Sequence, residues 1–332
     1  MPNNPRIVLA SRPVGPISPV NFRLETVEQP SPREGEILIR HHYLSLDPYM
    51  RGRMNTSKSY AAPQPLNEVM IGGTVGEVVA SNDPGFKPGD HVFSMGGWQI
   101  YSLGQAHNVR KLPSGPLPLS VFLGAVGMPG VTAWYGVNHI LKPKRAELVV
   151  VSAATGAVGS VAGQLAKLAG ATTIGIAGGP EKCRIATSEF GFDACIDHRD
   201  PDFATAFGKA VADGIDGVFE NVGGQPLALS MRHLKTFARI AICGLVASGY
   251  DGTPTPLADV SPILVARARV EGFIVSDHLD SWPQALTELA GHVAQGKIRY
   301  RETVADGLAA APRAFIGLFS GANIGKQLVR LV

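Results

Sequence analysis

The second half of the chain alternates short apolar runs with polar stretches long enough to form helices. Six such runs occur, each rich in β-branched or small apolar residues, at 147–154, 171–179, 192–198, 215–223, 238–246 and 268–276. A run without polar alternation is typical of a strand buried on both faces. The pattern therefore predicts βαβ units on a parallel sheet that helices cover on both sides.

The segments between the runs carry signals for helix boundaries. Residues 180–191 begin with Pro180, which suits the first turn of a helix. Residues 202–214 begin with Asp202, a candidate N-cap, and end with Gly214, a candidate C-cap. Six strands joined by such helices match the doubly wound Rossmann sheet, which binds dinucleotides at the carboxyl ends of its strands.

The first 125 residues show a different pattern, with short β-rich runs separated by Gly and Pro turns. The runs lie at 35–48, 69–81, 89–103 and 107–113. Regular short strands with such turns predict a compact β-barrel-like unit. The chain closes with the strand-like KQLVRLV, which we expect to return to this unit. We therefore predict a discontinuous domain, 1–125 with 297–332, and a nucleotide-binding domain, 126–296.

Composition excludes several classes of protein. A hydrophobic content of 45% with 17% charged residues is typical of a globular chain. The net charge of +3 and the lack of a long Lys/Arg run predict neither a nucleic-acid nor a membrane partner. The three cysteines form no C-x-x-C pair, and the N-terminus lacks the apolar region of a signal peptide. We therefore expect a cytoplasmic protein with reduced thiols.

The first apolar run leads into a glycine-rich turn, ATGAVG, at 154–159. The uncharged stretch 148–166 approaches the length of a membrane span, but its polar residues and glycines argue against one. Gly156 allows the backbone to approach a pyrophosphate, and Gly159 allows the following helix to pack on its strand. We expect one apolar face on that helix, formed by Val158, Val161, Ala162, Leu165, Leu168 and Ala169. Ala154 stands where the fingerprint has its first Gly.

The end of the second predicted strand indicates which dinucleotide binds. An NAD site usually places an acid there, but Ile176–Gly179 contains none. Lys182 and Arg184 follow and suit a 2′-phosphate, although both are also ordinary surface residues of a helix. The sequence favours NADPH.

A β-barrel-like domain followed by a six-stranded nucleotide domain is similar to the medium-chain dehydrogenase/reductase superfamily. Many of its members hold a catalytic zinc through Cys, His and a carboxylate, but the first 182 residues here contain no Cys. Gly72-Gly73-Thr74 replaces the zinc enzymes' Gly-His-Glu, and His41 and His42 are interpreted as barrel residues. We therefore expect no metal. The segment GANIGK (321–326) lacks the spacing of a P-loop.

Sequence blocks along nearly the whole chain resemble one zinc-independent branch of that superfamily. They include LSLDPYMRGRM (44–54), GMPGVTAWYG (127–136), IAGGPEKCR (176–184), ENVGG (220–224), CGLVASGY (243–250) and FIGLFSGANIGKQLV (315–329). The branch contains the NADPH-dependent alkenal and enone reductases, among them prostaglandin reductases and curcumin reductase-type enzymes. The resemblance implies a GroES-like β-barrel domain, a Rossmann domain with a six-stranded parallel sheet, and a homodimer.

The resemblance also implies which residues hold NADPH. Those facing the phosphates and the adenine ribose are Gly156, Ala157, Val158, Gly179, Lys182, Asn323 and, where relatives often carry Tyr, His198. Those bordering the nicotinamide half or the domain cleft are Met128, Pro129, Thr132, Asn221, Cys243, Gly244, Phe273 and Val275. Core packing in the last strand is the alternative for Phe273 and Val275.

The implied reaction moves a hydride from NADPH to the β-carbon of an α,β-unsaturated aldehyde or ketone. A hydrogen-bond donor must then stabilise the enolate oxygen. Tyr250 is the first candidate, although Gly249 is an extra residue before it, and Tyr60 is the alternative. We expect Tyr49 to shape the domain interface, and Asp47 and Arg51 to form a structural ion pair or to cap their loop. Loops 55–68 and 247–262 are expected to set substrate size.

Two other functions fit the same pattern. A quinone oxidoreductase of the superfamily shares the alanine-rich turn and the loss of zinc. A protein that senses NADPH without turning it over would keep the nucleotide site alone.

Overall fold

The computed structural model describes residues 3–251 and 259–332 and divides the chain into two compact units. The first holds the described residues of Met1–Leu123 and Gly249–Gly252, together with Glu302–Val332. The second holds the described residues of Gly124–Ser248 and Thr253–Arg301.

The first unit is barrel-like, and its strands pair antiparallel except for β14 and β15, which are parallel. Its strands are β1 Asn3–Leu9, β2 Phe22–Glu28, β3 Glu36–Ser45, β4 Thr74–Ser81, β5 His91–Ser94, β6 Tyr101–Gln105, β7 Arg110–Lys111, β14 Glu302–Asp306 and β15 Lys326–Arg330. β1 and β2 form a hairpin, and the others form a seven-stranded sheet in the order β14-β15-β3-β4-β5-β7 with β6 on β3. The C-terminal strand β15 pairs with β3, so the tail is part of this unit.

Two helices complete the first unit, α1 Tyr49–Arg53 and α9 Ala311–Phe319. One apolar cluster of this unit contains Trp98, which is fully buried. The Trp98 ring stacks on the ring of Phe22, with the ring centroids 5.3 Å apart. It makes an edge-to-face contact with Phe315 at a centroid distance of 5.6 Å. These contacts join the hairpin and the C-terminal helix to the main sheet, since the three residues come from distant parts of the chain.

His41 is a buried residue of β3, in keeping with its interpretation as a barrel residue. Its Nε2 lies 2.8 Å from Ser102 Oγ, and none of the described side chains or backbone groups pairs with its Nδ1. Burial, with a smaller contribution from the neighbouring His42, lowers the pKa of His41 to about 3. The folded state therefore holds the ring neutral.

We expect His41 to make the stability of the protein sensitive to acid. The unfolded chain takes up the proton near pH 6.5, whereas the folded state does so only near pH 3. The stabilisation is therefore complete above pH 6.5 and is lost as the pH falls toward 3, by up to about 1.4 kcal/mol per pH unit. Urea unfolding of wild type and His41→Gln between pH 7 and 4.5 checks this, and equal slopes against pH would contradict it.

Asp47 and Arg51 do not form the ion pair that the sequence suggested. Asp47 accepts hydrogen bonds from Lys326 Nζ at 3.0 Å and from the Ser45 hydroxyl, and both charged side chains are buried. Lys326 also donates to Leu46 O at 2.6 Å. Arg51 instead donates to Gly15 O at 3.0 Å and to the Asn55 side chain.

The second unit contains all six predicted parallel strands in one sheet. They are β8 Leu148–Ser152, β9 Thr172–Ala177, β10 Ala194–Asp197, β11 Ile215–Glu220, β12 Leu234–Ile242 and β13 Arg269–Gly272. Their order is β10-β9-β8-β11-β12-β13, so the chain runs outward in one direction to β10 and then in the other from β11. The carboxyl ends of β8 and β11 therefore mark the point where strand order reverses, which is where such sheets bind ligands.

The helices of the second unit lie between these strands or next to them. They are α2 Met128–Tyr135, α3 Gly159–Leu168, α4 Pro180–Ser188, α5 Phe203–Ala210, α6 Gly224–Met231, α7 Ser261–Ala266 and α8 Trp282–Ala294. Pro180 begins α4 as predicted. Asp202 stands at the N-cap of α5 but its side chain makes no capping bond, and Val211 rather than Gly214 is the C-cap.

Helix α3 is more buried than its predicted stripe. Gly159–Ala166 is buried throughout, including the polar Ser160 and Gln164. Leu168 and Ala169, placed on the apolar face by their spacing, are instead exposed at the helix end. Among the described residues, every helix is too short or too polar to cross the apolar layer of a membrane.

Candidate active site

The turn between β8 and α3 forms a close-packed seat at the reversal point of the sheet. Gly156 N donates to Ala153 O at 2.8 Å, which closes the turn. A Cβ on Gly159 would lie 2.3 Å from the same carbonyl oxygen, so only glycine fits there. The turn brings Gly156, Ala157 and Val158 to the N-terminus of α3, where backbone N–H groups and the helix dipole favour a phosphate.

Ala154 replaces the first glycine of the fingerprint, and the neighbouring strand accommodates its side chain. Ala154 is fully buried. A Cβ on Gly175 of β9 would lie 2.8 Å from the Ala154 Cβ, which is too close for two side chains. The Ala154 methyl group therefore occupies the space that a side chain at position 175 would need. Because residue 175 is glycine, the turn still packs closely against the sheet.

Two basic side chains, Lys182 and Arg199, lie beyond the ends of β9 and β10. Burial, then Coulomb repulsion from Arg199, lowers the pKa of Lys182, so the two cations lie near each other. A Cβ on Gly178 would meet His198 Nε2 at 2.9 Å and Arg199 Nε at 3.0 Å. Burial, then Arg199, also lowers the pKa of His198. This set of donors fits the 2′-phosphate of NADPH.

Asp197 ends β10 within this group, but its carboxylate is used locally. It accepts the backbone N–H of Gly179 at 2.7 Å and that of Arg199 at 2.9 Å. Gly179 has a φ of +99°, a conformation that strains any other residue. The carboxylate therefore fixes the two loops that carry the cations. Arg184, named with Lys182 from the sequence, is exposed on α4.

A buried carboxylate organises the other half of the reversal point. Glu220 ends β11 and is fully buried. Its Oε1 accepts from Ser152 Oγ at 2.6 Å and from the backbone N–H groups of Val222 and Gly223 at 2.6 and 2.8 Å. Burial, which outweighs these bonds, raises the pKa of Glu220. One side chain thus ties the loop after β11 to the end of β8.

Asn221 is oriented by the same serine. Its backbone N–H donates to Ser152 Oγ at 2.8 Å, and its side-chain Nδ2 donates to Ser152 O at 2.8 Å. Cys243 N and Gly244 N donate to Glu220 O at 2.8 and 3.1 Å. Asn221, Cys243 and Gly244 therefore lie together around the end of β11.

The remaining positions of the second unit lie on α2 and after β13. Thr132 Oγ1 donates to Met128 O at 2.8 Å within α2, and Pro129 lies in its first turn. Phe273 and Val275 are both buried. The Phe273 ring stacks on Tyr135 with the ring centroids 5.7 Å apart, a contact that fits both core packing and a backbone contact with the cofactor.

The candidate catalytic tyrosines belong to the first unit. Tyr250 has a φ of +51°, and its carbonyl oxygen accepts from Asn55 Nδ2 at 2.8 Å. Because Arg51 also donates to Asn55, a buried guanidinium stabilises the segment that carries Tyr250. Tyr60 is 58% exposed and lies under the Arg53 guanidinium, 5.8 Å from the ring centre. Residues 252–258 of the predicted specificity loop 247–262 lie outside the described residues.

Two further sequence positions have definite places in the first unit. Burial, then Asp47, raises the pKa of Tyr49, which begins α1 and stays protonated. Asn323, assigned to the phosphates by resemblance, donates from Nδ2 to Gly325 O at 2.7 Å within its own loop. Across residues 3–251 and 259–332, no three His, Cys, Asp or Glu side chains come close enough together to hold a metal ion.

Sequence reasoning missed three residues that build this site: Arg199, Glu220 and Ser152. Arg199 could have been found from the sequence, because it follows β10, and residues that follow two neighbouring parallel strands meet at one edge of the sheet. Glu220 lies inside the ENVGG block, but a carboxylate at a buried strand end gives no sign from sequence of which backbone groups it accepts.

Comparison with known proteins agrees with this geometry. Residues 5–112 match the N-terminal domain of oxidoreductase family, and residues 157–291 match the zinc-binding dehydrogenase family. The chain is 47% identical to the NADPH-dependent curcumin reductase of Escherichia coli (strain K12), over 99% of this chain and 97% of that protein. It is 39% identical to the NADP(+)-dependent 2-alkenal reductase of Nicotiana tabacum, over 89% and 87%.

A solved structure of a relative has the same fold. The crystal structure of CurA from Vibrio vulnificus in complex with NADPH superposes with a TM-score of 0.94 at 46% identity, covering 99% of each chain. The similarity spans both units and includes the cofactor-bound form of a relative. The chain therefore belongs to the medium-chain dehydrogenase/reductase superfamily, in its branch of NADPH-dependent alkenal and enone reductases.

Proposed function

We propose that the protein uses NADPH to reduce the C=C bond of α,β-unsaturated aldehydes and ketones. The observation that carries the proposal is the position of Lys182 and Arg199 just beyond the ends of β9 and β10, the edge of the sheet where an NAD enzyme would present an acid. The substrate class follows from relatives named for curcumin and for 2-alkenals.

NADPH supplies the hydride, and the chain supplies binding, orientation and a proton donor. Lys182 and Arg199 hold the 2′-phosphate, and the turn at Gly156–Val158 holds the pyrophosphate. Asn221, fixed by Ser152, orients the nicotinamide ribose. Further proposed cofactor contacts come from Met128, Pro129, Thr132, Gly179, His198, Cys243, Gly244, Phe273, Val275 and Asn323.

A tyrosine hydroxyl stabilises the enolate oxygen that forms when hydride reaches the β-carbon. Tyr250 is our first choice because Asn55 holds its backbone, and Tyr60 is the second. We expect Tyr250→Phe to lower kcat about 10²-fold, the effect of removing one donor to a developing oxyanion, and to leave NADPH binding unchanged. Steady-state kinetics on Tyr250→Phe, Tyr60→Phe and the control Tyr101→Phe would measure this. Wild-type kcat in both test variants would remove tyrosine from the mechanism.

Oxidation of NADPH with a panel of 2-alkenals, aryl enones and quinones tests the proposed activity. We expect turnover of the alkenals and enones. Turnover of quinones alone would make the protein a quinone oxidoreductase. Tight NADPH binding without turnover of any compound would favour a sensor.

We also propose a cytoplasmic homodimer, consistent with three free thiols. β13 is an edge strand of the six-stranded sheet, and apolar side chains are exposed on it and on α7. Val270 is 41% exposed, Leu264 79% and Val265 73%. A second copy of the chain covers such an edge and patch.

We expect Leu264→Glu combined with Val265→Glu to convert the dimer into a monomer, since each charge would be buried in the interface. Sedimentation at micromolar concentration measures the mass. Val14→Glu, at a 99% exposed position of the other unit, is the control and is expected to remain dimeric. A wild-type protein that sediments as a monomer would refute the proposal.

A further inference from the structure

Two of the three cysteines contact each other beside the proposed 2′-phosphate site. Cys183 lies on α4 and Cys195 on β10, and their Sγ atoms are 3.2 Å apart. Both thiols are free and partly buried. The sulfurs need to approach by little more than 1 Å to reach the bond length of a disulfide, about 2.05 Å.

The surroundings make one sulfur the nucleophile. The Cys195 thiol donates to Cys183 Sγ, which is the main reason that the pKa of Cys183 is lowered. The same contact, together with burial, raises the pKa of Cys195. We therefore assign Cys183, which loses its proton more readily, as the attacking thiol and Cys195 as the resolving thiol.

The position of the pair links its oxidation to the nucleotide site. Cys183 directly follows Lys182, and β10 leads from Cys195 through Asp197 to Arg199. Cys195 is held by its pairing with Gly175 in β9 and packs against it, since a Cβ there would lie 3.2 Å from Cys195 Sγ. The first turn of α4 is therefore the part that moves when the sulfurs approach, and Lys182 moves with it.

We propose that Cys183 and Cys195 form a reversible disulfide that weakens binding of NADPH through its 2′-phosphate. With glutathione disulfide as oxidant, the Cys183 thiolate displaces one glutathione thiolate and forms a mixed disulfide. Cys195 then loses its proton, attacks the Cys183 sulfur and releases the second glutathione. Two protein thiols lose two electrons and two protons in total, and one glutathione disulfide becomes two glutathiones.

The chemistry of this step is independent of the proposed function, whereas its consequence for NADPH rests on it. Full-length protein is incubated with glutathione disulfide, its thiols are counted, and its peptides are mapped by mass spectrometry. We expect the thiol count to fall from three to one, with a Cys183–Cys195 cross-link. NADPH affinity is expected to fall about tenfold, as when one charge-assisted contact to phosphate is weakened, and dithiothreitol is expected to restore it.

Three serine variants separate the possible outcomes. Cys183→Ser and Cys195→Ser are expected to form no internal cross-link and to keep their NADPH affinity in oxidant. Thr187→Ser, at an exposed position of α4, is the control and is expected to behave as wild type. Three thiols persisting in oxidised wild type, or a cross-link through Cys243, would overturn the proposal. A cross-link with unchanged NADPH affinity would overturn the coupling. Reduced protein that does not bind NADPH would instead refute the proposed function.

Discussion

Replacing Lys182 and Arg199 together by Gln is expected to weaken NADPH binding about 10²- to 10⁴-fold and to leave NADH usage within about threefold of wild type. A charge-assisted hydrogen bond to a phosphate contributes about 1.5–3 kcal/mol, and two such contacts give that range. NADH carries no 2′-phosphate and gains nothing from either cation. Steady-state kcat/KM for both cofactors, with one saturating enone, gives the ratio directly.

Each single variant is expected to lose about half of the NADPH binding free energy that the double variant loses. Lys209→Gln is a matched control, because Lys209 is exposed on α5 in the same unit. A double variant that loses NADPH and NADH activity equally would place these residues in the fold of the domain rather than at the 2′-phosphate. An unchanged preference for NADPH would move the phosphate site elsewhere.

Replacing Lys326 by Met is expected to lower the free energy of unfolding by about 3–5 kcal/mol. The change leaves the Asp47 carboxylate buried with only the Ser45 hydroxyl as a remaining side-chain partner. Removing one partner of a buried ion pair typically costs this much, because the other charge stays away from water. Urea denaturation at pH 7 measures the loss.

Two companion variants make this prediction specific. Lys111→Met removes an ion pair with Asp90, at 2.7 Å, in which the lysine is exposed, and is expected to lower the free energy of unfolding by less than about 1 kcal/mol. Asp47→Asn combined with Lys326→Met is expected to lose less than the two single changes added together, since no unpaired charge remains. If Lys326→Met and Lys111→Met lowered the free energy of unfolding equally, burial of an ion pair would have no effect on its contribution to stability.

The six-stranded sheet could be predicted from the sequence because its signal is local. Each strand is a short apolar run, and each of the five connections is long enough to cross the sheet. The hairpin β1–β2 was missed. β1 begins with the polar segment NNPR, and its apolar residues face a cluster that also includes Trp98 and Phe315 from distant parts of the chain.

Contacts between distant residues set the limit of sequence reasoning in the site. From the sequence, Asp47 and Arg51 are expected to form an ion pair or to cap their loop, yet the charged partner of Asp47 is Lys326, 279 positions away. Lys326 closes the GANIGK segment, and the pairing of β15 with β3 brings it close to Asp47, just beyond the end of β3. The place of Ala154 in the turn also depends on a distant residue, because Gly175 on the neighbouring strand β9 leaves room for its side chain.

Transfer of deuterium from NADPH labelled at the nicotinamide C4 tests the central claim most directly. A 2-alkenal or aryl enone is reduced with the labelled cofactor, and the product is analysed by NMR. We expect a saturated carbonyl compound with one deuterium on the former β-carbon and a solvent proton on the α-carbon. Deuterium on the carbonyl carbon, in an allylic alcohol, would contradict the proposed reduction of the C=C bond.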